Sequence, residues 1–396
     1  MNLKLKSTPE QIELIKAIGS RDMLVSREAQ EAFAAFLGPV IMKVIDHAGT
    51  ASALYNDTEY DEDDSPSFPL DLYYNEGAGH VTVWSQNMAG GLPSSEVSGV
   101  SELKISTYRL DSAVSFNKRY ARRSRLEIIS RAVERMAQEV LVKQERNAWA
   151  VVLKALAGST TTLDKGGNAL QHLFHTNDGS DTYETSFNVN MMNKLMTRMV
   201  RIGESFAGGT PGGQSFGVTD MYVSPEVMEK IRSFSYQHIG YGVGNDSNDT
   251  TAHTMVRDVN LNSNNLPENV REEIWRSAGM PSIWGVTLHE LIELGVSHKY
   301  NKLLDEFAGT IKDSNGAGSG TAFSGTGHEA VIGIDASKGA FIRAIARNAD
   351  SGSTFTALPD DQWNLNRLDK AGFYGSLEEG RVCIDGRAVA GIAIDS

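Results

Sequence analysis

The chain has one cysteine, Cys383, in 396 residues. A disulfide framework and a cysteine-built metal cluster are therefore excluded, and a reducing compartment fits. No apolar run is long enough to cross a bilayer. The opening MNLKLKSTPEQIELIK is too polar for the core of a signal peptide, so the expectation is a soluble chain made in the cytosol, without membrane contact. Positive charge is also scarce. The net charge is −13, which argues against a protein that grips DNA over its whole surface. Between Ala51 and Leu103 there is no Lys or Arg at all. That segment carries Asp57, Glu59, Asp61, Glu62, Asp63, Asp64, Asp71, Glu76, Glu96 and Glu102. Internal repeats of 20–50 residues are missing too, which excludes solenoids and propellers.

Catalytic constellations are equally scarce. HELIE, His289 to Glu293, lacks the second histidine one helical turn on that a zinc hydrolase needs, so that reading stays remote. GGTPGGQS (208–215) lacks the Gly-Lys-Ser/Thr ending of a phosphate loop, and GYGVGN (240–245) lacks the flanking strand and helix of a dinucleotide site. DTEYDEDD lacks the glycine turn and terminal glutamate of a calcium loop. No Ser/His/Asp or Cys/His set can be built with specificity. The expectation is no catalytic residue, no cofactor and no metal.

What is present is organised by one stretch. RLEIISRAVERMAQEVLVKQERNAWAVVLKALAG, Arg125 to Gly158, has no proline and no internal glycine. It predicts one helix about 50 Å long. Leu126, Ile129, Val133, Met136 and Val140 form a narrow apolar stripe, with Glu127, Arg131, Glu134 and Gln138 opposite. In the second half Ala148, Trp149, Val151, Val152, Ala155 and Leu156 widen and rotate the apolar face. From Lys104 to Lys154 there are twelve Lys or Arg against five acids, so an acidic arm precedes a basic rod.

Upstream, two short amphipathic helices are expected, the second opened by Ser26 as N-cap and kinked or split at Pro39. Two alternating runs, His80 to Trp84 and Leu103 to Phe116, predict a long two-stranded β excursion that needs another surface to lie on. Downstream, a helix is expected from Val189 to Glu204. DMYVSPEVMEKIRSF reads as a strand and a helix capped by Ser224 with Pro225 at its first position. IWGVTLHEL is strand-like, EAVIGIDASKGAFIRAIA is strand, turn, then strand or helix, and the tail holds two β runs. NKRYARRSR (117–125) reads as a partner-facing basic run in preference to a nucleic-acid patch, because the chain itself supplies a matching acidic segment.

The order of these parts resembles the major capsid protein of tailed bacteriophages, an α+β fold called HK-ninety-seven-like and shared with encapsulin shells. DMYVSPEVMEKIRSF, IWGVTLHE and GFYGSLEEGRVCIDGRAVAGIAI carry the local resemblance. It implies an N-terminal arm (1–55), an extended β loop or E-loop (56–121), a P-domain with the spine helix (122–205), an A-domain (206–350) and a C-terminal return to the P-domain (351–396). It implies a structural job in a virion. Many copies would form hexamers and pentamers of an icosahedral shell around double-stranded DNA, without sequence-specific binding. Portal, scaffolding and decoration proteins are the implied partners, and a cellular encapsulin-type compartment is the alternative. The inter-subunit contact is expected at Asp61, Glu62, Asp63 and Asp64 on one copy and Arg119, Arg122, Arg123 and Arg125 on its neighbour.

Overall fold

The computed structural model describes residues 8–61, 64–69, 102–123, 126–158, 171–177, 182–207, 217–234, 241–243, 255–257, 272, 274–276, 282–314, 316, 320–348, 354–360 and 368–395. In chain order its first half contains α1 (Pro9–Ile18), α2 (Met23–Ala48), β1 (Asn56–Asp61), β2 (Ser67–Pro69), β3 (Glu102–Lys104), β4 (Thr107–Asn117), α3 (Lys118–Arg122), α4 (Leu126–Gly158), β5 (Leu173–Phe174) and α5 (Val189–Ala207). The second half contains β6 (Asp220–Val223), α6 (Pro225–Ser233), β7 (Tyr241–Val243), β8 (Met255–Arg257), β9 (Ser282–Ile283), β10 (Val286–Glu290) and α7 (Lys299–Phe307). It closes with β11 (Thr310–Ile311), β12 (Thr321–Ala322), β13 (His328–Ile334), β14 (Phe341–Arg347), β15 (Thr356–Pro359), β16 (Lys370–Cys383) and β17 (Val389–Asp395). The class is α+β. No helix among the described residues is long and apolar enough to cross a membrane.

Two compact units share the chain. The first comprises Met1–Asp71, Gly99–Trp149 and Phe341–Ile384. Its five-stranded sheet runs β1-β14-β16-β15, with β4 pairing β16 on the other side. β16 alternates as a half-covered strand should: Ala371, Phe373 and Leu377 are buried, while Tyr374, Ser376 and Glu378 are partly exposed. The buried face meets Ile15, Ile18, Phe33, Ile41, Phe116 and the stripe Ile129, Val133, Met136 and Val140 of α4. Phe373 anchors this core, with ring centroids 5.1 Å from Phe33 and 5.9 Å from Phe116.

Several expectations change here. α2 begins at Met23, capped by Asp22, whose Oδ1 accepts from the Leu24 amide at 3.1 Å. Ser26 is not the cap. Its buried hydroxyl donates to the Ile18 carbonyl at 2.8 Å and accepts from Lys118 Nζ at 3.1 Å, so it ties α1 and α3 to α2. α2 also runs through Pro39 unbroken over 26 residues. An interior proline costs about 3 kcal/mol, and burying Phe33 and Ile41 on either side gains roughly as much or more. The run Leu103 to Phe116 is not one strand. β3 pairs antiparallel with β2 (Phe68 opposite Leu103), whereas β4 lies along β16 from Thr107–Gly380 to Asn117–Lys370. Leu110, Val114 and Phe116 on alternate positions draw β4 into the core. The other run, His80 to Trp84, lies outside the described residues.

The second unit comprises Leu72–Ser98, Ala150–Ala340 and Asp385–Ser396. Its mixed six-stranded sheet is ordered β5-β17-β13-β6-β10-β9. β13 and β17 are buried on both faces along most of their length and read as continuous apolar runs, as central strands do. α6 starts as expected: Ser224 Oγ accepts from the Val227 amide at 3.1 Å, and Pro225 occupies the first position. IWGV is not continuous strand. Trp284 (φ 54°) and Gly285 (φ 78°) form the two-residue tip of the β9–β10 hairpin, where positive φ at both positions matches strand twist. EAVIGIDASKGAFIRAIA resolves as strand, a short 3-10 turn at Ala336–Lys338, and strand.

α4 is a single helix of 33 residues, Leu126–Gly158, whose residues up to Trp149 belong to the first unit and whose remainder belongs to the second. Its sequence pattern reappears as burial. Trp149, Val152 and Leu153 are fully buried, and Arg131 and Gln138 are exposed.

The close approach of β15 and β16 offers a test of the first core. A Cβ on Gly375 would lie 3.0 Å from Cε1 of the buried Phe355 ring and nearer still to Cζ. Gly375→Ala is expected to lower unfolding free energy by about 1–3 kcal/mol, read by urea denaturation of the unassembled chain.

Candidate functional site

The most tightly built polar feature of the first unit lies where β4, β14 and β16 meet α4. Glu379 of β16 is fully buried. Its Oε2 accepts from Arg343 Nε at 2.9 Å and from Gln144 Nε2 at 3.0 Å. Its Oε1 accepts from the Tyr108 hydroxyl at 2.6 Å and from Arg381 Nε at 3.2 Å. One carboxylate thus joins β4, β14, its own strand β16 and the long helix. Burial by itself would raise its pKa; the Arg381 and Arg343 guanidiniums, then the Tyr108 hydroxyl, hold it below the ordinary carboxylate range. The same burial, with Glu379 beside it, pushes the Tyr108 phenol far above its usual value.

A second set of contacts fastens the end of the arm. Arg381 lies over the Tyr55 ring at 4.8 Å, and the Tyr55 hydroxyl donates to the Ala148 carbonyl at 2.8 Å. Glu145 of α4 accepts from the Ala51 amide at 3.1 Å and from the Thr50 hydroxyl at 2.7 Å. Trp149 Nε1 donates to the same Thr50 hydroxyl at 3.3 Å. Residues Thr50 to Tyr55 are therefore pinned along one turn of α4 at i, i+3 and i+4 spacing.

The residues expected at an inter-subunit contact divide into three groups. Asp61, at the end of β1, and Asp64 are exposed, and the Asp64 amide donates to the Asp61 carbonyl at 2.8 Å. Arg119 and Arg123 are exposed and show no ion pair among the described residues. Glu62, Asp63 and Arg125 lie outside the described residues. Arg122 has work within its own chain: Nε donates to the Gly19 carbonyl at 2.7 Å and Nη2 to Asp369 at 2.8 Å. Its fork closes the α1–α2 corner, because α3 delivers it against the left-over carbonyls of α1.

The acidic segment is likewise partly used in the chain. β1 pairs parallel with β14, placing Asp57 beside Arg343. Arg343 Nη1 reaches Asp57 at 3.5 Å, and Arg347 Nη1 reaches Glu59 at 3.4 Å. Sequence reasoning did not single out Arg343, Arg347, Glu379 or Arg381. The available signal was charge inside otherwise apolar β runs, at positions 343, 379 and 381.

His289 and Glu290 do not form a metal centre. On a strand they point to opposite faces. His289 Nε2 lies 2.8 Å from Asp220 Oδ1 and its ring stacks on Tyr222 at 4.8 Å, while Glu290 pairs with Arg232 at 3.0 Å. Among the described residues no group of three or more His, Cys, Asp or Glu converges on a metal position. The 208–215 glycine-rich loop lies outside the described residues, and Tyr241–Val243 of the 240–245 stretch pairs antiparallel with Met255–Arg257.

No family model matches this chain, and no curated protein matches it. Solved structures with a similar course exist. The Microbacterium phage Oxtober96 structure aligns at TM-score 0.44 and 13% identity, covering 88% of this chain and 90% of that one. The cyanophage Pam1 capsid asymmetric unit aligns at TM-score 0.43 and 12% identity, covering 85% and 88%. The holo-SrpI encapsulin complex from Synechococcus elongatus PCC 7942 aligns at TM-score 0.41 and 10% identity, covering 86% of each chain.

Glu379→Ala leaves two buried guanidiniums without their anion and is expected to cost about 3–5 kcal/mol, read by chemical denaturation. The folded carboxyl binds its proton less tightly than the unfolded one. Its contribution is therefore complete at neutral pH and is lost as pH falls through and below the ordinary carboxylate range.

Proposed function

We propose that this protein is a shell-forming subunit, the major capsid protein of a tailed-phage type of virion, and that it has no enzymatic role. The observation that carries the reading is α4. It is a helix of 33 residues without a break, with buried positions recurring from Ile129 to Ala157. A beam of this kind suits a subunit whose task is to hold surfaces at a fixed spacing.

In this reading the chain has an arm at 1–55, a loop at 56–121, a spine-bearing domain at 122–205, a second domain at 206–350 and a return at 351–396. The short β2–β3 ladder supports the loop reading, since a two-stranded stem of this size is marginal alone and gains from a neighbour's surface. Hexamers and pentamers would enclose double-stranded DNA. The net charge of −13 would keep the inner surface from binding it tightly. Portal, scaffolding and decoration proteins would meet the finished shell, which forms in the host cytoplasm.

The contact between copies is reduced to the charges left over within each chain. Asp61 and Asp64, with Glu62 and Asp63 between them, would meet Arg119 and Arg123, with Arg125 beside them, on the neighbour. An exposed pair is worth at most about 1 kcal/mol, so its effect comes from repetition around a shell and from orientation.

Expression of the chain followed by negative-stain imaging tests the reading. Closed polyhedral shells support it, and a monomer at all concentrations overturns it. Packaged DNA separates a virion from a compartment with protein cargo. Val140→Pro is expected to abolish shells, because it breaks the beam in mid-span; normal shells from that variant would refute the beam. Reversing Asp61 and Asp64 to Lys should weaken assembly at low salt, with recovery when Arg119 and Arg123 are reversed to Glu. Assembly indifferent to both changes would dismiss the electrostatic contact while leaving the shell reading intact.

A further inference from the structure

The corner where β13 meets the start of α6 gathers polar groups outside the contact proposed between copies. Ser224 is fully buried; its Oγ accepts from the Val227 amide and donates to Oε1 of Glu329 on β13. Glu329 is only 8% exposed, and no cation pairs with it among the described residues. The charged group that acts on it is Glu226, exposed in the first turn of α6. β17 presents Ile394 beside Glu329 in register, and α7 contributes the neutral amide of Asn301, which donates to the His328 carbonyl at 2.8 Å.

The segment Leu291–His298 closes over this corner and brings Glu293 and His298 with it. Leu291 donates its amide to the Val223 carbonyl at 2.9 Å, and Ser297 donates to the Gly325 carbonyl at 2.8 Å. The backbone is left-handed at Gly295 (φ 131°) and at Ser297 (φ 63°), a conformation that serine holds only under constraint. The fit is tight. A Cβ on Gly295 would stand 3.1 Å from Oε2 of Glu226, 3.2 Å from Cδ2 of His298 and 3.6 Å from Cβ of Ser224.

We propose that this corner is a proton-operated latch: with the Glu329 carboxyl neutral, β13 is tied to the cap of α6 and Leu291–His298 stays closed; when the carboxyl ionises, it turns to water and the segment opens. A buried carboxylate without a cation is costly, and Glu226 adds like-charge repulsion. The Ser224 hydroxyl and the partial positive charge at the start of the nine-residue helix α6 both favour the ionised form and oppose this. Burial first and Glu226 second push the Glu329 carboxyl up to about 7. The closed form therefore binds the proton more tightly than the open one, and raising pH through that value favours opening.

Hydrogen–deuterium exchange on the full chain, corrected for intrinsic amide rates, tests this at about pH 6 and about pH 8.5. The amides of Gly295, Ser297 and His298 are expected to exchange roughly 10-fold faster at the higher pH. Glu329→Gln should keep them protected at both. Glu226→Gln, at an exposed site, should move the midpoint of opening to lower pH, and it decides the matter where Glu329→Gln does not fold. Equal protection at both pH values in the unaltered chain overturns the latch. So does opening that persists in Glu329→Gln, or a midpoint unmoved in Glu226→Gln.

Discussion

The first unit depends on where one carboxylate sits. Glu379 occupies the inner face of β16 and takes hydrogen bonds from β4, β14, its own strand and α4. Such a cluster adds little net stability over apolar residues of equal volume, since two guanidiniums and a carboxylate all lose water. What it sets is register. A slip of β16 by one residue would turn Glu379 outward and bring Glu378 to the inner face. Arg381, on the same strand and face, would turn outward with it, and Arg343 on β14 would lose its present pairing. The apolar part of the same face, Phe373 against Phe33 and Phe116, rewards the same register. Packing and ion pairing agree, which is what makes a single arrangement of long strands secure.

That arrangement also decides which charges remain available. The chain is acidic early and basic later, and the simplest expectation was that one region meets the other across copies. The parallel pairing of β1 with β14 brings Asp57 and Glu59 to Arg343 and Arg347. Arg122 is consumed by Gly19 and Asp369. The charges left exposed, Asp61, Asp64, Arg119 and Arg123, are fewer and lie at the ends of elements. A proposed contact between copies is thereby narrower than composition suggested.

Local patterns were legible where the physics is local. The stripe Ile129, Val133, Met136 and Val140 and the wider face from Ala148 onward appear as burial on α4, because helical spacing alone selects a face. Ser224 and Pro225 marked the start of α6, since capping is settled within four residues. Ser26 had the same cap chemistry and was outcompeted. Asp22 caps four residues earlier, and the Ser26 hydroxyl is taken by Ile18 and Lys118, partners that helix packing brings close. The tip at Trp284 and Gly285 was hidden because tryptophan is an unusual residue for a left-handed position.

By itself the sequence determined the long helix, the amphipathic helices before it, the strand–helix unit at Ser224 and the β-rich return. Each follows from periodicity or capping within a short window. Only the tertiary structure decided that β4 pairs with β16 and not with an excursion partner, and that Glu379 is the hub of the first core. Only it decided which acids and bases cancel within the chain. These outcomes join residues up to 318 positions apart, as between Tyr60 and Glu378. Strand partners are chosen by competition among all edges and apolar faces at once, and no local pattern carries that information.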